Sequence, residues 1–529
     1  MAMPACDALP GRSAEGDLAR LSYRDQVERF QKGKIGEKEF RAIQAAVGVY
    51  EQRQSATYMV RVRLGAGLAS ARQLVAMARL STLFGRGDVH FTTRQDVQIH
   101  DVSLDGTVAL VEAVEHRGLS TRGSGGNTVR NVTACPRASV CAGAGFDVTP
   151  CVVNLAEYFS TVSRPHPLPR KFKIAFSGCG KDCASASVSD LGFFAHRREG
   201  LLGFSVYAGG GFGQNSAAAV LVEDFVPLWD VPLVAEAVVR LFDRLGDWNN
   251  RARARLRYVL ARLGSETFIA EYRKERAALE TDFTVPSASL ERLAGDSPAP
   301  TNGPQSVEEG EIPRGFLPER NRGLLTAHVQ LRNGNSSALD LVRVARIARG
   351  LGNGVVVATQ QQDLLLLGIG ADRVADAQAA LAKLSFVCEP SLPKVVACTG
   401  ASTCKPGICQ SQALADAVTE RLRGLASERT SEPSTIRISG CPNGCGGHSI
   451  AALGFEGRAR RCGNRLLPMY EVVAGGKTAE GEVRLSQRLG LVPEQVIPDF
   501  VAEIYAKRLT APDELRPVVQ RFAQTETKE

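Results

Sequence analysis

Eight cysteines of this 529-residue chain fall into two sets with the same internal spacing. Cys135 and Cys141 enclose five residues, and Cys179 and Cys183 enclose three; Cys398 and Cys404 again enclose five, and Cys441 and Cys445 again three. Paired thiolates carried on loops suit a tetrahedral metal site or an iron–sulfur cluster. Structural zinc sites usually set their paired cysteines two to four residues apart. The wider gap before Cys404 is easy for a 4Fe-4S cluster, whose irons are well separated, so the spacing favours a cluster, with zinc and buried free thiols as alternatives. In a cytosolic chain thiols stay reduced, and the odd total of 13 cysteines argues against a complete disulfide set. Cys6, Cys151, Cys388, Cys409 and Cys462 read most simply as unligated thiols.

The two sets are copies of one design, displaced by 263 and 262 residues. The copy extends upstream: YMVRVRLGAG (Tyr58 to Gly67) and VHFTTRQDVQIHDV (Val89 to Val102) recur as LTAHVQLRNG (Leu325 to Gly334) and VVATQQQDLLLLGI, with Asp96 matching Asp363. Downstream, VYAGGG (Val206 to Gly211) recurs as VVAGGK (Val472 to Lys477). A repeat of this length is too long for a solenoid and reads as duplicated domains. In each copy, strands of alternating polarity around a helix give a β-α-β pattern, followed by a larger mixed α/β region that carries the cysteines near Gly and Pro.

The resulting domain reading is an N-terminal arm over 1–50, a first half-domain over 51–115 and a first large domain over 116–285. A Pro/Ser/Glu-rich linker over 286–317 leads to a second half-domain over 318–388 and a second large domain over 389–529. A net charge of +8 spread over this length is mild and does not read as a nucleic-acid binder. No run of 18 apolar residues spans a membrane and no secretory signal is evident, so the expected location is the cytoplasm.

The copies differ in charge. Arg61 becomes His328, Arg63 becomes Gln330, His90 becomes Val357 and Arg94 becomes Gln361; the first copy also holds Arg130 and the run PRKFK with Arg170, Lys171 and Lys173. A pseudo-two-fold fold can bring loops of both copies to one centre. The expectation is therefore one anion site, with cations from the first copy facing metal chemistry from the second. PRKFK taken alone is usually a solvated strand end, and His100 and His448 read as structural. GGGFGQ (Gly209 to Gln214) is faintly like a phosphate loop, but VVAGGK stands at the same position of the repeat, so close packing on a cofactor is the better reading.

CTGASTC (Cys398 to Cys404) and SGCPNGCGG (Ser439 to Gly447), with TTRQDVQIH, GNTVRN (Gly126 to Asn131) and PRKFK in order, resemble the signature of sirohaem-dependent sulfite and nitrite reductases. The resemblance covers nearly the whole chain. It implies an internally duplicated mixed α/β fold, with ferredoxin-like half-domains and two sirohaem/cluster domains. It also implies a 4Fe-4S cluster on Cys398, Cys404, Cys441 and Cys445, with Cys445 shared with the sirohaem iron and Asn443 shaping the cluster loop. Arg63, Arg130, Lys171 and Lys173 would surround the substrate, and Arg61, Arg94 and Gln98 would meet sirohaem carboxylates. With no flavin or nicotinamide site in view, electrons would come from ferredoxin or a flavoprotein reductase.

Sulfite is the expected substrate and nitrite the alternative. Plant-type nitrite reductases of the family tend to have Asn after a Trp where this chain has Phe172 and Lys173, whereas its cluster loops look closer to the nitrite branch. Precorrin-3B synthase, an oxygenase relative, is a remote alternative. The first set, Cys135, Cys141, Cys179 and Cys183, departs from the well-known assimilatory enzymes. It is read as a relic, with a second cluster as the other possibility.

Overall fold

The computed structural model describes residues 22–161, 167–280, 312–385, 392–423 and 435–524. Most of the linker, together with Cys6 and Cys388, lies outside the described residues.

Each half-domain is a five-stranded antiparallel sheet whose last strand comes from the other copy. Val49–Glu51, Tyr58–Val62, Val97–Val102 and Asp88–Phe91 are completed by Asn335–Ser337, and Phe316–Pro318, Leu324–Val329, Leu364–Gly370 and Val355–Ala358 by Leu68–Ser70. The register is Asn335 opposite His90 in one sheet and Leu68 opposite Val357 in the other. Ser70 and Ser337, which end these donated strands, then cap the helices Ala71–Phe84 and Ala338–Leu351 by accepting from the backbone N–H of Gln73 and Asp340. The two helices pack on each other, and a single apolar core runs through both half-domains. Exchange of edge strands leaves each half-domain unable to satisfy its sheet without the other.

The two large domains share one sheet plan. Thr133–Ala134, Ile174–Ser177 and Leu191–Arg198 run parallel, and Leu201–Ala208 and Val220–Pro227 continue antiparallel. Val395–Ala397, Ile436–Ser439, Leu453–Cys462, Arg465–Ala474 and Gln487–Pro493 repeat the plan. Each has its own core. The first cysteine of each set directly follows the first parallel strand, and the third follows the second parallel strand one residue on. Adjacent parallel strands end on the same sheet edge, which is why cysteines some 40 residues apart in sequence meet.

The helices Tyr23–Gln31 and Glu37–Ala46 lie on the first half-domain: Tyr23 bonds Thr107, and Arg24 pairs with Glu112. At the pseudo-two-fold centre, Gln95 and Gln362 both adopt left-handed backbone, with φ of 58° and 64°. Gln95 accepts from the N–H of Ala134 and donates to the carbonyls of Ala66 and Ala358; Gln362 accepts from Ala397 and donates to Phe91. Each glutamine thereby ties both copies to the strand that leads into a cysteine. Gln95→Leu would strand three buried backbone groups and is expected to destabilise the chain by roughly 2–4 kcal/mol. Arg24→Ala removes an exposed, solvent-screened ion pair with Glu112 that contributes little to stability. Urea unfolding followed by circular dichroism should show the first transition clearly lowered by the former and little moved by the latter; equal shifts would contradict this role for Gln95.

Candidate active site

Strand periodicity sets which side chains can reach a common point. Val60 and Val62 face the core, so Arg61 and Arg63 lie on the opposite face. Phe172 is fully buried, so its neighbours Lys171 and Lys173 project together from the other side. Arg130 stands beside them, its N–H donating to the carbonyl of Phe172. The turn Thr92 to Asp96 reaches across to the second copy, where the Thr93 hydroxyl donates to the carbonyl of Cys445 at 2.8 Å.

Arg94, Lys173 and Cys445 line one cleft with Thr93, Gln360 and Arg437. Cations of the first copy and a thiol of the second thus share one site, as the charge asymmetry suggested. The guanidinium groups are held mainly by backbone carbonyls. Arg94 donates to Asn131 and Ile174 at 2.7 and 3.0 Å, Arg130 to Gly126 and Ser124, Arg61 to Ser124, and Arg63 to Arg122. Carbonyl partners fix orientation without cancelling charge. Asp96 is the carboxylate among these arginines; burial pushes it up to about 6 against the pull of Arg61, Arg63, Arg94 and Arg130. Asp190, wholly buried, pairs with Arg255 and accepts from the backbone N–H of Lys173 at 2.9 Å.

The remaining positive charge is poorly balanced. Burial, with Arg94 and Lys171 nearby, holds the Lys173 ammonium well below its usual range, and its Nζ lies 5.7 Å from the Phe212 ring centre. Burial also brings Lys171 down to about 7, opposed by Cys445 and reinforced by Arg255 and Arg130. Arg94 falls to about 9, chiefly through burial. Tyr50 would be raised by burial, but Arg130 and Arg61 outweigh it and hold the phenol below its ordinary value.

Arg61, Arg63, Arg130 and Lys171 do not line the cleft, and neither does Gln98. With its amide oriented to satisfy its neighbours, its oxygen accepts from Arg61 at 2.7 and 3.1 Å and its nitrogen reaches His100, so it positions Arg61. Asn443 hydrogen-bonds to the sulfur of Cys441 through backbone and side chain. Gly440 N–H donates to Cys398 Sγ at 3.2 Å, and Cys404 is within Coulombic reach of Cys445, Cys398 and Cys441. The four second-copy thiols thus lie on neighbouring loops at one edge of the sheet. At the matched positions of the second copy, Asp363 accepts from Lys394 and His328, an internal ion-pair network where the first copy keeps free cations.

Sequence reading missed Arg437, Thr93, Tyr50 and Asp190. Arg437 had a signal: it interrupts the apolar strand Ile436–Ser439 where the first copy has Ala175. Burial brings its guanidinium down to about 10, and it donates to the carbonyl of Gly446. Tyr50 accepts from the N–H of Gly126 at 2.7 Å and from Arg130.

Such a cleft, cationic on one wall and thiol-bearing on the other, defines an oxidoreductase built to bring a metal centre against a small anion. Residues 50–116 and 318–384 match the nitrite/sulfite reductase ferredoxin-like half domain, and residues 125–279 match the nitrite and sulphite reductase 4Fe-4S domain. The chain belongs to the sirohaem and 4Fe-4S nitrite/sulfite reductase family. It is 26% identical over 464 residues to a ferredoxin–nitrite reductase of Synechococcus elongatus, covering 86% of each chain. It is 27% identical over 485 residues to sulfite reductase (ferredoxin) 2 of Mycolicibacterium paratuberculosis, covering 90% of this chain and 81% of that one. The solved structure of the Mycobacterium tuberculosis NirA protein superposes with a TM-score of 0.76 at 25% identity, over 93% of this chain and 95% of that one.

The family's cofactors are sirohaem and a 4Fe-4S cluster, and the residues present fit both. Arg63 Nη2 and Arg94 Nε are buried without a hydrogen-bond partner, which suits donors awaiting carboxylates or an oxyanion. The thiols of Cys398, Cys404 and Cys441 are raised by burial, so an unligated thiolate would be costly there and a metal partner favourable. Among the described residues no helix is long and apolar enough to cross a membrane.

The cysteine loop leaves no room for a side chain at Gly446, where a Cβ would lie 2.1 Å from the Ile438 carbonyl. Gly446→Ala should displace Cys445 and yield protein with little sirohaem absorbance. Gly350→Ala, at a helical position with nothing within 4 Å, should retain it. Equal absorbance per chain in both variants would show that the loop tolerates the shift.

Proposed function

We propose that this protein reduces sulfite to sulfide by six electrons, drawn from ferredoxin or a flavoprotein reductase in the cytoplasm. The observation that carries this reading is Lys173, a second lysine close to Lys171 and lining the cleft that holds Cys445; burial among cations disfavours its charge in the empty cleft, and an incoming dianion would restore it. A doubly charged pyramidal oxyanion gains more from that second cation than singly charged nitrite does.

Sirohaem joined to the cluster through one thiolate supplies electrons one at a time. In this reading Cys398, Cys404, Cys441 and Cys445 would hold the cluster, Cys445 would be the thiolate that couples it to sirohaem, and Asn443 would set the loop through its bonds to Cys441. Arg61 and Arg94 bind sirohaem carboxylates, Gln98 fixes Arg61, and Arg437 is an added donor on the cluster side of the cleft. Arg63, Arg130, Lys171 and Lys173 surround the substrate and offset the charge that grows on it. Lys171, with an ammonium near neutrality, gives up a proton readily and is regenerated from solvent. Burial of the cations keeps their field strong, since little water is left to screen it.

Nitrite reduction to ammonia at the same site is the second reading, supported by relatives such as the Synechococcus elongatus protein, whose name carries that activity. Lys173→Asn separates the two. It should lower kcat/KM for sulfite by roughly a hundredfold and that for nitrite by less than about tenfold, in protein whose sirohaem absorbance is unchanged. Equal losses on both anions would remove Lys173 as the discriminating residue.

A further inference from the structure

We propose that Cys135, Cys141, Cys179 and Cys183 hold a second 4Fe-4S cluster. Four observations separate this set from unused thiols.

The first is convergence. Cys135 and Cys183 are in hydrogen-bonding contact, Cys141 lies within Coulombic reach of Cys135 and Cys179, and Cys179 of Cys183. The four come from the ends of two adjacent parallel strands, as in the second copy. In both sets the last cysteine is the exposed one, whereas the buried thiol is Cys135, the first, in one copy and Cys441, the third, in the other.

The second is backbone shape. In the loop of the second copy, Gly444 and Gly447 take left-handed φ of 69° and 80°. The matched residues of the first copy, 262 positions earlier, are Asp182 and Ser185, and they keep φ of 54° and 56° without glycine's freedom. That backbone is unfavourable for a residue carrying a Cβ. Asp182 is partly repaid by accepting from Ala186 N–H at 2.6 Å and from Ser187. Ala184 and Ala186 are buried beside this turn with Ala175 and Phe194, and the turn keeps the backbone shape of the second copy's cysteine loop.

The third is bracing from the opposite copy. Arg53 reaches across to the second-copy loop, its N–H donating to Thr403 and its guanidinium to Lys405 and Gly407. Arg320, 267 residues on, repeats this on the first-copy loop, donating to the carbonyls of Val140, Cys141 and Ala144.

The fourth is a reciprocal cover. Phe212 and Gly213 of the first copy lie against Gly444 in the second-copy loop. Glu480, on the second copy's hairpin Lys477–Ala479 and Glu482–Arg484, lies against Gly180 between Cys179 and Cys183, its N–H donating to the Gly180 carbonyl. Glu480 is itself held by His196 and Ser205. Both cysteine loops are thus braced and covered in the same manner by the partner copy.

The test is the iron and acid-labile sulfide content of the full chain, purified anaerobically and reconstituted with iron and sulfide, counted per sirohaem. One sirohaem and one cluster give about five irons and four sulfides; a second cluster brings these to about nine and eight. The higher counts are expected in the wild type, and the lower ones in Cys179→Ser/Cys183→Ser with its sirohaem absorbance retained. Wild-type counts near five and four would overturn the proposal. So would a Cys135–Cys183 disulfide found by mass spectrometry in the anaerobic wild type, which needs no variant to fold. Sulfite turnover is read separately, so loss of this cluster and loss of the proposed activity are distinguishable.

Discussion

The structure turns on positive charge that is buried and not cancelled. Arg61, Arg63, Arg94, Arg130, Lys171 and Lys173 crowd one wall, and the carboxylates among them are Asp96 and the already paired Asp190. Backbone carbonyls hold most of the guanidinium groups, which fixes where they point while leaving their charge available. Such a wall is unfavourable until anions arrive. A macrocycle bearing carboxylates and an oxyanion substrate are the complement, and the site is preorganised to favour them over water.

Holding that wall against the cluster loop is a problem of assembly that the duplication solves. Most of the cations come from one copy, and Arg437 and the thiol at the cleft from the other, so the two must be locked in register. The exchanged strands Leu68–Ser70 and Asn335–Ser337 fuse the half-domains, and Gln95 and Gln362 carry the lock to the strands that end in cysteine. At the matched positions of the second copy the charge is paired internally, Asp363 being satisfied by Lys394 and His328.

The parts written in local spacing were legible in the sequence. The repeated cysteine gaps, the copies of the VRVRLGAG and TTRQDVQIH segments and the loss of Arg from the second copy led to one site built from both halves. The exchanged strands were not, because three residues carry too little alternation to distinguish a strand from a turn before a helix cap. Tyr50 and Asp190 escaped for a different reason: each acts by a contact with a distant segment, Gly126 or Arg255, that leaves no periodic trace. Gln98 lies near the site, yet it serves Arg61, a distinction between touching and positioning that spacing does not carry.

The most direct measurement of what this charge selects is turnover of the holoenzyme with a chemically reduced viologen, comparing kcat/KM for sulfite and nitrite on one anaerobic preparation. A clear preference for sulfite is the expected result, since the second ammonium favours the doubly charged anion. A clear preference for nitrite would contradict that selection and move the chain to nitrogen chemistry, with fold and cofactors unchanged.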